Sequence, residues 1–247
     1  MNGYSRGFFG MPPVVKNIIY INILMLLAYY AAGSAFNIDL NRILGIYFVK
    51  SDQFRPYQLI THMFMHGGIT HLFFNMFALY MFGQILEQVW GPKRFLIYYF
   101  VCGIGAMIIH ESVLAFQYHK VMSIIPPEVL QDVLDNGLKY TMEQKGYVDQ
   151  LPRELQSILY TPTVGASGAV FGVLLAFGML FPNTQLMLLF PPIPIRAKYL
   201  VAGYAAIELY LAVTQPGSSI AHAAHIGGML FGLILLQYWK KTTKTLY

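Results

Sequence analysis

Charge is scarce in this 247-residue chain: Asp, Glu, Lys and Arg together make up 11% of it, where a soluble globular domain carries about a quarter. That deficit excludes an ordinary water-soluble domain. With 56% hydrophobic residues and a mean hydropathy of +0.52, the chain reads as a polytopic membrane protein. Cysteine is limited to Cys102, which falls inside an apolar run. An internal disulfide is therefore impossible, and Cys102 reads as a small core residue. The net charge of +5 is scattered at the ends of apolar runs, and the absence of a basic stripe excludes a nucleic-acid partner. Two enzyme signatures are missing as well. No H-E-x-x-H of a zinc peptidase occurs, and the G-x-S-x-G elbow of a soluble α/β-hydrolase fails at Ala169.

What is present is apolar sequence in long runs. A helix needs roughly 20 residues to cross the hydrocarbon, and six windows qualify: about 15–33, 70–87, 95–115, 164–182, 198–213 and 219–239. The first carries no small-residue cleavage site followed by a soluble domain, so it is expected as a retained helix and not a signal peptide. Neither a repeat nor a low-complexity tract interrupts the chain. The expected architecture is a single all-α membrane domain over 1–247, a six-helix bundle.

The cations orient it. Threading six spans from an inside N-terminus puts Arg6, Lys16, Lys93, Arg94, Arg196, Lys198, Lys240, Lys241 and Lys244 on the cytoplasmic side. The other side receives Arg42, Lys50 and Arg55. It also receives a long insert, 116–163, whose four cations are outnumbered by Glu128, Asp132, Asp135, Glu143, Asp149 and Glu154. Both termini are thus expected in the cytoplasm. Of the two external segments, the first carries "LNRILGIYFV", too short to span and expected as an interfacial element. In the insert, Pro126 and Pro127 can open a helix. Val129, Leu130, Val133, Leu134 and Leu138 recur at helical spacing, predicting short amphipathic helices.

Against this background the polar residues of the apolar windows stand out, because ionisable groups there are costly and so often functional. They are His62, His66, His71 and Asn75 in "THMFMHGGITHLFFN"; Ser167 in "PTVGASGAVFG"; His222 and His225 in "AHAAHIGG"; and Glu208 in the fifth window. His71 and Asn75 are four apart and share a helix face. Gly168 and Gly172 on one helix, and Gly228 and Gly232 on another, form small-xxx-small faces along which backbones pack closely. A serine and a histidine beside such faces can reach hydrogen-bond distance, the geometry of a base-activated nucleophile.

These motifs resemble the rhomboid family of intramembrane serine proteases. "HGGITHLFFN" is similar to the family's H-x4-H-x3-N segment, "GASG" to its G-x-S-G nucleophile motif and "AHIGG" to its histidine motif, in the family's order over about 15–239 apart from the insert. The resemblance implies a Ser–His dyad, with Ser167 as nucleophile and His225 as general base and acid. It further implies an oxyanion hole from His71, Asn75 and the Ser167 backbone N–H, with Gly165, Gly168, Gly228, Gly232 and Phe171 in support. It implies no acidic third member, no cofactor and no metal. Two positions depart from the pattern: Tyr57-Gln58 stands where rhomboids often carry Trp-Arg, and Phe171 where a tyrosine often stacks on the histidine.

The function so implied is endoproteolysis, near the extracytoplasmic face, of transmembrane segments carrying small or helix-breaking residues, with the lipid bilayer as the other partner. The absence of a transit peptide leads to a bacterial plasma membrane as the expected location. His62, His66 and His222 are expected to line an outward-facing wet cavity, and Glu208 to be a structural partner or a gate residue. "TQPGSSIAH", with Pro216 and Gly217, is expected to form a movable gate with the fifth helix. Two other readings stand beside this one. A catalytically silent relative would bind membrane helices without cutting them. A metal-dependent membrane protein would use the paired histidines, although no carboxylate neighbours them in sequence.

Overall fold

A computed structural model of the chain describes residues 10–187, 192–214 and 221–242. The expected gate segment with Pro216 and Gly217, and the cations Arg6 and Lys244, lie outside the described residues. The chain is mostly helical, and helix occupies each of the six apolar windows. Helix α1 runs Pro13–Phe36, and the short α2 (Leu40–Leu44) and α3 (Gln58–Thr61) follow, α3 continuing into a 3-10 turn at His62–Phe64. Next come α4 (Ile69–Ala78), a π turn at Leu79–Gly83 and α5 (Gln84–Trp90), which together make one continuous rod. After α6 (Pro92–Met122), the insert folds as α7 (Pro127–Met142) and α8 (Gln150–Tyr160). Helix α9 (Ser167–Leu180) leads to a two-stranded antiparallel ribbon, β1 (Gln185–Met187) with β2 (Pro194–Arg196), then α10 (Ala197–Thr214) and α11 (His222–Thr242).

Among the described residues, three elements are long and apolar enough to cross a membrane: Pro13–Phe36, Ile69–Trp90 and Pro92–Met122. Helix α6 spans 31 residues, about 46 Å at 1.5 Å per residue, against about 30 Å of hydrocarbon. Its last two turns therefore rise beyond the apolar layer, and the insert starts near 123 instead of 116.

The centre of the bundle is where α6, α9 and α11 meet, and the glycines explain how they come so close. A Cβ on Gly228 would collide with the carbonyl oxygen of Gly168. One on Gly172 would run into Cys102 of α6, and one on Gly232 into the hydroxyl of Tyr98. The expected glycine faces thus meet each other and α6 at once. The Tyr98 hydroxyl donates to the Gly172 carbonyl at 2.9 Å, a bond that ties α6 to α9. Phe95, Tyr99, Cys102, Val173, Ala176 and Leu236 complete this core.

The "LNRILGIYFV" run folds partly into the protein: Ile46, Tyr47 and Phe48 are each only 2% exposed, while Ile43 beside them is exposed. Asp39 caps α2 by accepting from Asn41 N at 2.9 Å, turning the chain inward. The insert, α7 and α8, carries an apolar core of its own. Val121, Val133, Leu155, Ile158, Leu159 and Tyr160 enclose Phe48 in a second apolar core, while Leu134, expected on the buried face, is exposed.

Candidate active site

Ser167 is the first residue of α9, and the backbone before it is held in place from three sides. Gly165 N–H donates to the His62 carbonyl at 2.9 Å, and Ile46 and Thr163 exchange backbone bonds at 2.9 and 2.8 Å. His110 Nε2, on α6, lies 3.0 Å from the Thr163 hydroxyl. Gly165 has φ 131°, a conformation open to glycine. The vacancy where its Cβ would stand is filled by the His71 ring: that point lies 3.0 Å from His71 Nε2 and 3.7 Å from Ser167 Oγ. A side chain at 165 would displace His71 from beside the serine.

The serine hydroxyl meets His225 of α11, with Oγ 2.8 Å from Nε2. Phe171, one turn along α9 from Ser167, stacks on the imidazole with ring centroids 4.2 Å apart and planes 10° off parallel. Tyr204 of α10 stands edge-on to Phe171 at 6.1 Å. Ser167 itself is half-buried.

Two donors stand near this pair, and a third shares a helix face with one of them. As the opening residue of α9, Ser167 has a backbone N–H with no intrahelical acceptor. His71 lies beside Gly165 as described. Asn75, one turn further along α4, is buried, and its Nδ2 has no hydrogen-bond partner. A buried amide without an acceptor costs about 1–3 kcal/mol, and Asn75 Nδ2 has none among the described residues. The structure thus brings Ser167, His225, His71 and Phe171 together and leaves Asn75 with a free donor on the same helix face as His71.

The other histidines are placed differently from expectation. His62 and His66 are each 1% exposed and do not line an open cavity. His62 Nδ1 bonds the Gln58 carbonyl at 2.8 Å, and His66 packs edge-to-face on His71 at 5.0 Å. Burial pushes His62 down to about 4 and His66 down to about 3, so both rings are neutral at physiological pH.

His222 is likewise buried, and its partner is Glu208, which the sequence singled out as a structural partner or gate residue without saying what it meets. The Glu208 carboxylate, carried by α10, accepts from His222 with Oε2 2.6 Å from Nδ1. The same oxygen lies 3.0 Å from Nδ1 of His225. A carboxylate does stand beside these histidines, contrary to expectation. The ligand atoms of Glu208, His222 and His225 fall within 4.8 Å of one another, a donor set of the kind that binds zinc. In this structure, however, the donors are turned onto one another.

The family model described as Rhomboid domain matches residues 53–241. RHOMBOID-like protein 12, mitochondrial, of Arabidopsis thaliana is 30% identical over 175 residues, covering 70% of this chain and 44% of the relative. Rhomboid protease AarA of Providencia stuartii is 26% identical over 180 residues, 70% of this chain and 52% of the relative. Rhomboid protein 1, mitochondrial, of Saccharomyces cerevisiae is 27% identical over 187 residues, 75% of this chain and 42% of the relative. The chain spans about half the length of the curated relatives it matches. Mitochondrial proteins stand among these relatives beside a bacterial one, so they do not single out the bacterial plasma membrane expected from sequence.

Proposed function

Because this chain belongs to the rhomboid family of membrane proteins, we propose that it is a serine endopeptidase that cuts transmembrane segments of other proteins within the bilayer. The observation that carries the reading is the 2.8 Å contact between Ser167 Oγ and His225 Nε2. One relative, AarA, bears the name protease.

The chemistry follows from that contact. His225 Nε2 takes the hydroxyl proton as Oγ attacks the scissile carbonyl. The resulting oxyanion is met by the Ser167 N–H, His71 and Asn75, and the N-terminal end of α9 adds a favourable field. When the intermediate collapses, His225 returns the proton to the departing amine, leaving an acyl-serine. His225 then deprotonates a water, which hydrolyses the ester. Phe171 keeps the ring plane fixed through both proton transfers.

In this reading α9, α10 and α11 cross the bilayer together with the three longer helices, giving six spans. The cation distribution supports cytoplasmic termini and a site that opens extracytoplasmically. A substrate helix must unwind before its carbonyl can reach Ser167, which favours segments with small or helix-breaking residues.

The test is incubation of detergent-purified protein with a model single-span substrate, beside Ser167→Ala and His225→Ala, with fluorophosphonate labelling in parallel. Both variants are expected to lose cleavage and label, and the wild type to keep activity in chelator. Cleavage by Ser167→Ala would overturn the assignment. A folded wild type that neither cleaves nor labels would establish the silent relative in its place.

A further inference from the structure

We infer that Glu208 is the positioning residue that turns the Ser167–His225 pair into a triad, with His222 bracing its carboxylate. The inference rests on the protease reading above and adds to it a carboxylate supplied by a different helix from those bearing the serine and histidine.

The geometry runs in one line. Ser167 Oγ lies 2.8 Å from Nε2 of His225, and the other ring nitrogen of that histidine, Nδ1, lies 3.0 Å from Glu208 Oε2. The Nδ1 contact lacks the alignment of a straight hydrogen bond, yet Nδ1 has no other partner among the described residues. His222 Nδ1 holds the same oxygen at 2.6 Å. An ionised carboxylate accepts and cannot donate, so both imidazoles present Nδ1–H to it. For His225, that tautomer leaves the Nε2 lone pair facing the serine hydroxyl, which is the form a general base requires. When Oγ gives up its proton, the positive charge on the ring develops 3.0 Å from a negative one.

The placement argues against an incidental polar contact. Glu208 is 8% exposed, and the α10 residues flanking it, Ile207 and Leu209, are both exposed. Burying a carboxylate in an apolar helix is costly unless it is paired. Both of its partners are imidazoles, and one of them touches the serine. In this position Glu208 orients the base and does not touch the substrate.

Kinetics of Glu208→Gln and Glu208→Asp, with thermal melting of each, decide the matter. The glutamine keeps the volume and removes the charge. It is expected to lower kcat about 10- to 1,000-fold with KM and melting temperature close to wild type, and to slow fluorophosphonate labelling in proportion. The aspartate should recover part of kcat. Unchanged kcat in Glu208→Gln would overturn the inference. So would parallel losses of kcat and melting temperature with aspartate no better than glutamine, since that pattern marks a carboxylate that only docks α10. Wild-type activity abolished by chelator and restored by Zn²⁺ would make the three side chains a metal site and overturn it too. If the wild type neither cleaves nor labels, the protease reading fails first and the triad falls with it.

Discussion

At the residue scale, stability and chemistry pull apart most clearly at Asn75. Its Nδ2 is buried without a partner among the described residues, an arrangement that costs stability in the resting protein and that the proposed function turns to use as an oxyanion donor. Replacing an unsatisfied polar group by a small apolar one removes the penalty, while an oxyanion donor is worth about 10²–10³ in kcat. Asn75→Ala is therefore expected to lower kcat by about two to three orders of magnitude while leaving the melting temperature equal to wild type or slightly higher. Initial rates and thermal melting on the same preparation check both halves. A variant that melted early would make Asn75 a structural amide instead. Asn75 could be singled out in the sequence because a motif carried it; Glu208 could be singled out only as a structural partner or gate residue, and its two partners could not be named. Glu208 lies 14 and 17 positions before its two partners, on a separate helix, and no periodicity in the chain says which face of α10 meets α11. His110, which lies 3.0 Å from the Thr163 hydroxyl just before the serine, was missed for the same reason, since its partner comes from a segment 53 positions away.

At the scale of the element, hydropathy locates the helices, and their ends and contacts come from groups outside each run. The six windows were legible because lipid-crossing helices must be apolar along about 20 residues. That α6 continues to Met122, past the apolar stretch, was not legible, because its last turns are held by packing against the insert. Glu87 shows the same limit. In sequence it marks a turn before Gly91; in the structure its carboxylate takes the orphan N–H groups of Val14 at 2.9 Å and Val15 at 2.7 Å, capping α1 from 72 residues away. Each such charged bond contributes about 1.5–3 kcal/mol, and a negative group also suits that helix end. Glu87→Ala should thus lower the melting temperature by several degrees, Glu87→Gln by less, and the fraction still folded should cleave at the wild-type rate. A second element-scale prediction concerns the seam of α9 and α11. Since a Cβ on Gly228 would strike the Gly168 carbonyl, Gly228→Ala must push the two helices apart, and the 2.8 Å contact between Ser167 and His225 parts with them. Labelling of Ser167 by fluorophosphonate should then fall well before the protein unfolds in a thermal ramp. Labelling at the wild-type rate would mean that the seam tolerates the extra methyl.

At the scale of the whole molecule, the two largest apolar clusters among the described residues share α6 and are bridged by one further segment. The larger lies along α6, α9 and α11; the smaller closes over Phe48, with α7 and α8 on one side and the end of α6 on the other. Between them runs 39–66, which gives Phe48 to the small core, pairs Ile46 with Thr163, and offers the His62 carbonyl to Gly165 just before the serine. Arg42 Nη2 reaches the Thr141 carbonyl at 3.0 Å, and Gln156 Nε2 bonds the carbonyls of Gly137 and Lys145 at 3.2 and 3.0 Å, so the insert and this segment brace each other. Loosening the small core should therefore loosen the segment that seats the nucleophile, while the glycine-packed helices hold. Leu155 is fully buried in that core, and a buried Leu→Ala change costs about 2–5 kcal/mol. In Leu155→Ala, hydrogen exchange is expected to quicken across 127–160 and 40–66 and to stay slow in α9 and α11. Cleavage should fall further than the global melting temperature would suggest, because Gly165 loses its fixed anchor. Exchange that quickened in α7 and α8 alone would show the insert to be an independent cap, with the site seated by the bundle itself.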